Sequence, residues 1–199
     1  MNLKEKISYI IGRDMANNLK KQGIDIESDP FVKGMKEVLE GKPSTLSQDE
    51  VQQAMMALQQ EMAQKQNSAG SENKQAGEAF LAENKNNEGV KTLPSGLQYQ
   101  VLQEGSGKSP SATDTVTTHY HGTLIDGTVF DSSYERNEPA TFPVNGVIAG
   151  WTEALQMMKE GSKWRLFIPA NLAYGAQGAG GTIGPNSTLI FDVELLSVK

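Results

Sequence analysis

Val116-Thr117-Thr118-His119-Tyr120-His121-Gly122-Thr123-Leu124, Ile125-Asp126-Gly127 and Thr128-Val129-Phe130-Asp131-Ser132-Ser133 together form the stretch that decides the fold. Two runs rich in β-branched and aromatic residues flank Asp126-Gly127, a strong hairpin signal because both turn residues tolerate positive φ. Working outward, residues 97–101, 141–144, 164–168 and 188–196 also alternate or run apolar over strand lengths, between Gly-rich turns. Only residues 147–158 look helical among them, with Ile148, Trp151, Leu155 and Met158 on one face. About five antiparallel strands with one short helix against their concave face make an α+β domain over residues 91–199.

The chain ahead of this domain reads as helices. Ile7, Ile10, Ile11, Met15 and Leu19 recur at steps of three and four before Gly23, and Asp29-Pro30 opens a second stripe of Phe31, Met35, Val38 and Leu39 that ends at Gly41. Ser47 and Glu50 have capping-box spacing, so a third helix begins near Gln48. Its end is open to two readings, because residues 63–88 are polar and contain Gly70 and Gly77. Either one solvated helix of roughly 55 Å runs to about Asn84, or a flexible linker near residues 67–71 divides it. Ala76, Ala79, Phe80 and Leu81 favour the continuous helix.

The first two helices are too short to close a core of their own and need a partner. Six of the eight Met residues lie in this half, which suits an adaptable helical interface. A homodimer through residues 1–65 is the economical reading, with folding back onto the C-terminal domain as the alternative. The expected organisation is a helical dimerisation domain at 1–65, a connecting helix or linker at 66–90 and the sheet domain at 91–199.

Charge and composition exclude several classes. The net charge of −6 argues against nucleic-acid binding, and it divides evenly, with 11 basic and 14 acidic residues before Lys91 and 7 and 10 from there on. Cysteine is absent, which removes disulfides and thiolate zinc sites. No apolar run is long enough to span a membrane. The start, Met1-Asn2-Leu3-Lys4-Glu5-Lys6-Ile7, lacks the apolar stretch of a signal peptide. As written the expectation is cytoplasmic, or periplasm or cell envelope if Met1 replaces a removed signal.

Motif searches narrow the chemistry further. Gly175, Gly178, Gly180 and Gly181 precede Pro185 and a strand instead of opening a helix, which argues against phosphate cradling. Asp131, Ser133 and Glu135 lack the spacing of a calcium loop. His119 and His121 share a strand face but have no evident third ligand, and no nucleophile-elbow pattern occurs. No metal or cofactor is expected.

What remains is an aromatic pocket with one acid. Of 13 Phe, Tyr and Trp residues, 10 follow Lys91. Tyr120 faces inward if the histidines face out, Phe130-Asp131 ends a strand, Trp151 sits on the helix and Tyr174 begins a long loop. Singly, each has a plain structural reading: Phe130 and Trp151 as core, Asp131 as a turn cap, Tyr174 as a loop anchor.

Taken together they resemble the FKBP-type peptidyl-prolyl isomerases, the tacrolimus- and rapamycin-binding immunophilins. The resemblance covers about residues 92–199 and rests on His119-Tyr120, Gly127, Val129-Phe130-Asp131-Ser132-Ser133, Val147-Ile148, Gly150-Trp151, Ala173-Tyr174-Gly175, Pro185 and the run from Thr188 to Leu196. The helical N-terminal half, with Gly-Glu-Ala-Phe-Leu at 77–81, is similar to the macrophage infectivity potentiator branch, whose members are V-shaped dimers.

The resemblance implies an FKBP-like sheet wrapped around one helix and acceleration of X-Pro isomerisation in folding proteins, with chaperone-like binding by the dimer. It implies proline-containing polypeptides as partners and tacrolimus and rapamycin as inhibitors. The site it implies comprises Tyr120, Phe130, Asp131, Trp151, Tyr174 and Phe191, with Arg136, Phe142, Val147, Ile148 and Ile183 completing the substrate surface. Ala140, Ala179, Thr182 and the triplet Tyr120-His121-Gly122 depart from the usual pattern, at the rim. A non-catalytic scaffold that docks proline-containing segments in the same pocket is the competing reading.

Overall fold

The computed structural model describes all residues, Met1–Lys199. It divides into two compact units, Met1–Lys65 and Gln66–Lys199. In the first unit, α1 (Leu3–Lys21) starts at a capping box between Asn2 and Glu5, and α2 (Ser28–Leu39) follows it. Neither helix buries a residue within the chain. Helix α3 (Gln48–Asn84) is continuous over 37 residues. Its start is secured by Ser47 and Glu50, each side chain bonding the other residue's backbone N–H.

The second unit is an antiparallel sheet with one helix against it. Its strands are β1 (Val90–Thr92), β2 (Gln98–Gln103), β3 (Thr115–Leu124), β4 (Val129–Ser132), β5 (Ala140–Pro143), β6 (Lys163–Ile168) and β7 (Leu189–Val198). The spatial order is β1-β2-β6-β7-β3-β4, and β5 also pairs with β3. Seven strands therefore replace the expected five or so. β1 escaped notice because a three-residue edge strand carries no measurable period.

β4 and β5 share one edge of β3. β4 pairs with residues 121–123 and β5 with 115–118. Between them the chain leaves the sheet through residues 133–139, which opens the edge beside Asp131. The expected hairpin joins β3 to β4, with φ 87° at Gly127 alone, while Asp126 keeps negative φ. The Asp126 carboxylate instead accepts the Thr128 N–H at 2.9 Å.

Helix α4 (Ala149–Met157) buries Trp151, Ala154 and Leu155 against the sheet. Strand β7 supplies Leu189, Phe191, Val193 and Leu195 to the same core, alternating with more exposed residues. Leu196 keeps that alternation by facing outward, and a bulge opposite Thr117-Thr118 then shifts it by one residue, so that Val198 and not Ser197 returns inward. The side chain of Leu155 is fully buried. Leu155→Ala is expected to lower the stability of this unit by about 2–5 kcal/mol, measured by urea unfolding; a loss within about 0.5 kcal/mol, as at an ordinary surface position, would contradict its place in the core.

Candidate functional site

A hollow of about 630 Å³ opens between α4, the β3–β4 edge and the loop before β7. It is lined by ten of the eleven expected residues: Tyr120, Phe130, Asp131, Phe142, Val147, Ile148, Trp151, Tyr174, Ile183 and Phe191. Arg136 is the exception and lines a smaller adjoining recess that shares Phe130 and Asp131. Gly146, Ala179, Gly180 and Thr182 complete the main lining. Of these, Gly146 left no sign in the sequence, because a residue without a side chain has no pocket-forming signature.

Trp151 is the floor, only 4% exposed. Extended backbone at Val147-Ile148 precedes it, and Ile148 caps α4 by accepting the Trp151 N–H at 3.0 Å, so the indole sits in the first turn. Tyr120, Phe142 and Phe191 meet Trp151 at centroid distances of 5.4, 5.5 and 5.2 Å and steep interplanar angles. Phe130 meets Phe191 at 5.3 Å and 80°. Edge-to-face packing of this kind places the positive edge of one ring on the negative face of the next and excludes water from the base of the hollow.

Two local devices bring these rings together. Gly122 lies beside the rings of Phe130 and Phe191, where a Cβ would stand 2.7 and 2.8 Å from their carbons. Phe130 itself falls in a bulge: Thr123 pairs with Val129 and Gly122 with Asp131. In a regular strand consecutive side chains point to opposite faces, but the extra residue re-aims the pair, and both Phe130 and Asp131 line the hollow.

The polar wall is one coupled group. The Tyr120 hydroxyl donates to the Asp131 carboxylate at 2.5 Å, and Arg136 donates to that carboxylate and, at 2.8 Å, to the Tyr120 hydroxyl oxygen. The guanidinium also lies 5.6 Å from the centre of the Tyr120 ring. Burial pushes the Asp131 carboxyl upward, but the bonds from Tyr120 and Arg136 outweigh it and hold the group below the usual carboxylate range. Burial, then the bond to Asp131, pushes the Tyr120 phenol above its ordinary value.

Ser133 is a supporting residue whose role sequence reasoning did not single out. Its hydroxyl accepts the Tyr120 N–H at 2.7 Å and donates to the Tyr120 carbonyl at 3.1 Å, fixing the backbone behind the phenol. His119, on the opposite face from Tyr120, bonds the same hydroxyl at 2.9 Å and stacks on Tyr134. At the rim, Tyr174 is 41% exposed, and its hydroxyl bonds to no protein group. Ala179 and Ile183 exchange backbone bonds of 2.8 and 3.0 Å across the Gly180-Gly181 tip, which turns Ile183 into the hollow.

Two families match the sequence. "Domain amino terminal to FKBP-type peptidyl-prolyl isomerase" matches residues 4–101 and "FKBP-type peptidyl-prolyl cis-trans isomerase" matches residues 106–196. The "Outer membrane protein MIP" of Legionella longbeachae is 49% identical over 98% of this chain and 86% of its own length. The "FKBP-type 22 kDa peptidyl-prolyl cis-trans isomerase" of Escherichia coli K12 is 44% identical over 98% and 96%. The crystal structure of FkpA from Escherichia coli aligns with a TM-score of 0.71 at 42% identity, covering 100% of this chain and 97% of that one.

Because the folded Asp131 value is depressed, its bonds contribute stability above the unfolded carboxylate value and lose it as pH falls through the lower folded one. The carbon NMR resonance of the Asp131 carboxyl is therefore expected to titrate below about 3.9. A midpoint at or above that value would remove the coupled group.

Proposed function

The chain belongs to the FKBP-type peptidyl-prolyl cis-trans isomerases, and from that premise we propose how its residues divide the work and how copies of it associate. The observation that supports the reading is the edge-to-face cluster on Trp151 beside an ionised, fully bonded Asp131.

Rotation about an X-Pro bond is opposed by amide resonance, with a barrier of about 18–20 kcal/mol. At the twisted transition state the C–N bond loses double-bond character and the peptide loses charge separation. Water therefore stabilises that state less than the planar ground state, and a dry aromatic hollow favours it. Trp151 is the floor under the proline ring, with Tyr120, Phe130, Phe142, Val147, Ile148 and Phe191 as walls. The unbonded Tyr174 hydroxyl donates to a substrate carbonyl. Asp131, held by Arg136, orients Tyr120 and sets a negative charge beside the turning carbonyl. With Asp131 held ionised and Tyr120 neutral, neither is suited to proton transfer near neutral pH. Ile183 and the 178–181 glycines form a flap over the peptide.

Tyr174→Phe removes one hydrogen bond and is expected to lower kcat/KM by about three- to tenfold, in keeping with a net contribution of about 1 kcal/mol. Asp131→Ala costs more, since it frees both Tyr120 and Arg136. A protease-coupled peptide assay checks both, and unchanged rates with an intact fold would overturn the assignments. The volume of the hollow lies within the range of small-molecule sites, which supports tacrolimus and rapamycin as competing ligands.

The N-terminal unit is proposed to form a homodimer. Its apolar stripes stay exposed in the single chain, Ile10 at 56% and Ile11 at 54%, and such surface on a small helical unit calls for a cover. Two pockets in one dimer then hold one unfolded chain at two places, raising effective concentration and giving chaperone-like binding. The full chain is expected to sediment as a dimer, and Ile10→Asp with Ile11→Asp as a monomer that keeps its short-peptide activity but loses efficiency in proline-limited refolding. A monomeric wild-type chain at micromolar concentration would rule this out.

A further inference from the structure

One face of α3 meets the segment that carries the flap. Gly70, Asn73, Gly77 and Asn84 lie at helical spacing, and each contacts the sheet domain. The Asn73 amide donates to the Pro185 carbonyl at 2.9 Å, and the Asn186 amide donates to the Gly70 carbonyl at 3.2 Å. A Cβ on Gly77 would come within 3.1 Å of the Thr188 Cβ, and closer still to its hydroxyl. Glycine is a poor helix residue. Here two of them, seven residues apart on one face, mark close approach.

The segment these residues grip, 184–188, lies outside the hollow but is the stem of the flap. Ile183 precedes it directly, and the Asn186 N–H donates to the Gly175 carbonyl at 2.8 Å, next to Tyr174. Asn186 has φ 55°, a left-handed conformation that Asn tolerates better than other residues with a side chain but that still benefits from local constraint. Its bonds to Gly70 and Gly175 supply that constraint from two sides. Within the flap only two backbone bonds, between Ala179 and Ile183, close the Gly-Gly tip, and Ile183 is its only residue buried in the core, so its stem is the remaining point of attachment.

We propose that Asn73 and Gly77 are positioning residues for the isomerase site: through the 184–188 stem they hold Ile183 and Tyr174 in place over the Trp151 floor before a peptide arrives. The inference rests on the isomerase reading and assigns part of α3 to the active site. A flap ordered in advance lowers the entropy cost of binding, so the effect falls on KM more than on kcat.

The test uses the full chain carrying Asn73→Ala, Gly77→Ala, or Gly77→Ala with Thr188→Ala, which removes the obstructing hydroxyl. Kinetics on a proline-containing peptide are read beside hydrogen exchange at the Ala179 and Ile183 amides, with Val193 in the central strand as the control for global stability. Each single variant is expected to raise KM by about two- to tenfold with kcat little changed, the size of coupling carried through packed networks. Exchange rises at Ala179 and Ile183 but not at Val193, and the double variant returns toward wild type. An unchanged KM, or faster exchange shared by Val193 and not relieved by Thr188→Ala, overturns the proposal. Should the Gly77→Ala chain fail to fold, Asn73→Ala decides alone. A wild-type chain without isomerase activity would instead strike the underlying reading, and the exchange data would then decide whether α3 holds the flap.

Discussion

The hollow depends on how closely three rings can approach beneath β3. Phe130 reaches Phe191 because position 122 carries no side chain to part them, and Phe191 in turn packs on Trp151. The bulge at Phe130 adds the second requirement, since without it either the ring or the neighbouring Asp131 carboxylate would face away. An apolar base and a charged wall are thus joined on adjacent residues of one short strand. Van der Waals packing among these rings leaves little room for adjustment, so the base of the hollow is as rigid as the core beneath it.

That rigidity suits a reaction in which no bond to a heavy atom need break. The barrier belongs to rotation, and in the proposed mechanism the hollow lowers it by offering an environment in which the twisted amide is less disfavoured than in water. Asp131 sits 42% exposed at the wall, and its carboxylate accepts bonds from a phenol and a guanidinium that hold it below the usual carboxylate range. Ser133 extends the constraint backward to the Tyr120 main chain, and His119 bonds to the same hydroxyl.

Helix α3 illustrates a different kind of information. Gly70 and Gly77 made a linker plausible from composition, and the propensity of the residues around them favoured a helix. The helix is continuous. The reason for the glycines lies elsewhere in the chain: the Thr188 side chain occupies the space a Cβ on Gly77 would need, and Pro185 and Asn186 press closely on Gly70. In the same way, Asn84 finds its reason in Gln98, whose amide oxygen accepts its side-chain N–H at 2.8 Å inside a buried contact.

Local periodicity determined what could be read directly: the three N-terminal helices and the capping box of the third, the main strands, the single helix of the sheet domain, and the residue types of an apolar pocket with one acid. These rest on interactions within a few residues, which spacing records. The edge strand Val90–Thr92, the conformation of Asp126, the bulge at Phe130, the place of Arg136 outside the main hollow and the docked face of α3 were settled only in three dimensions. Each depends on a partner distant in sequence or on a backbone irregularity shorter than any period. A glycine looks the same in sequence whether it frees the chain or lets another segment press against it, and only the fold distinguishes the two.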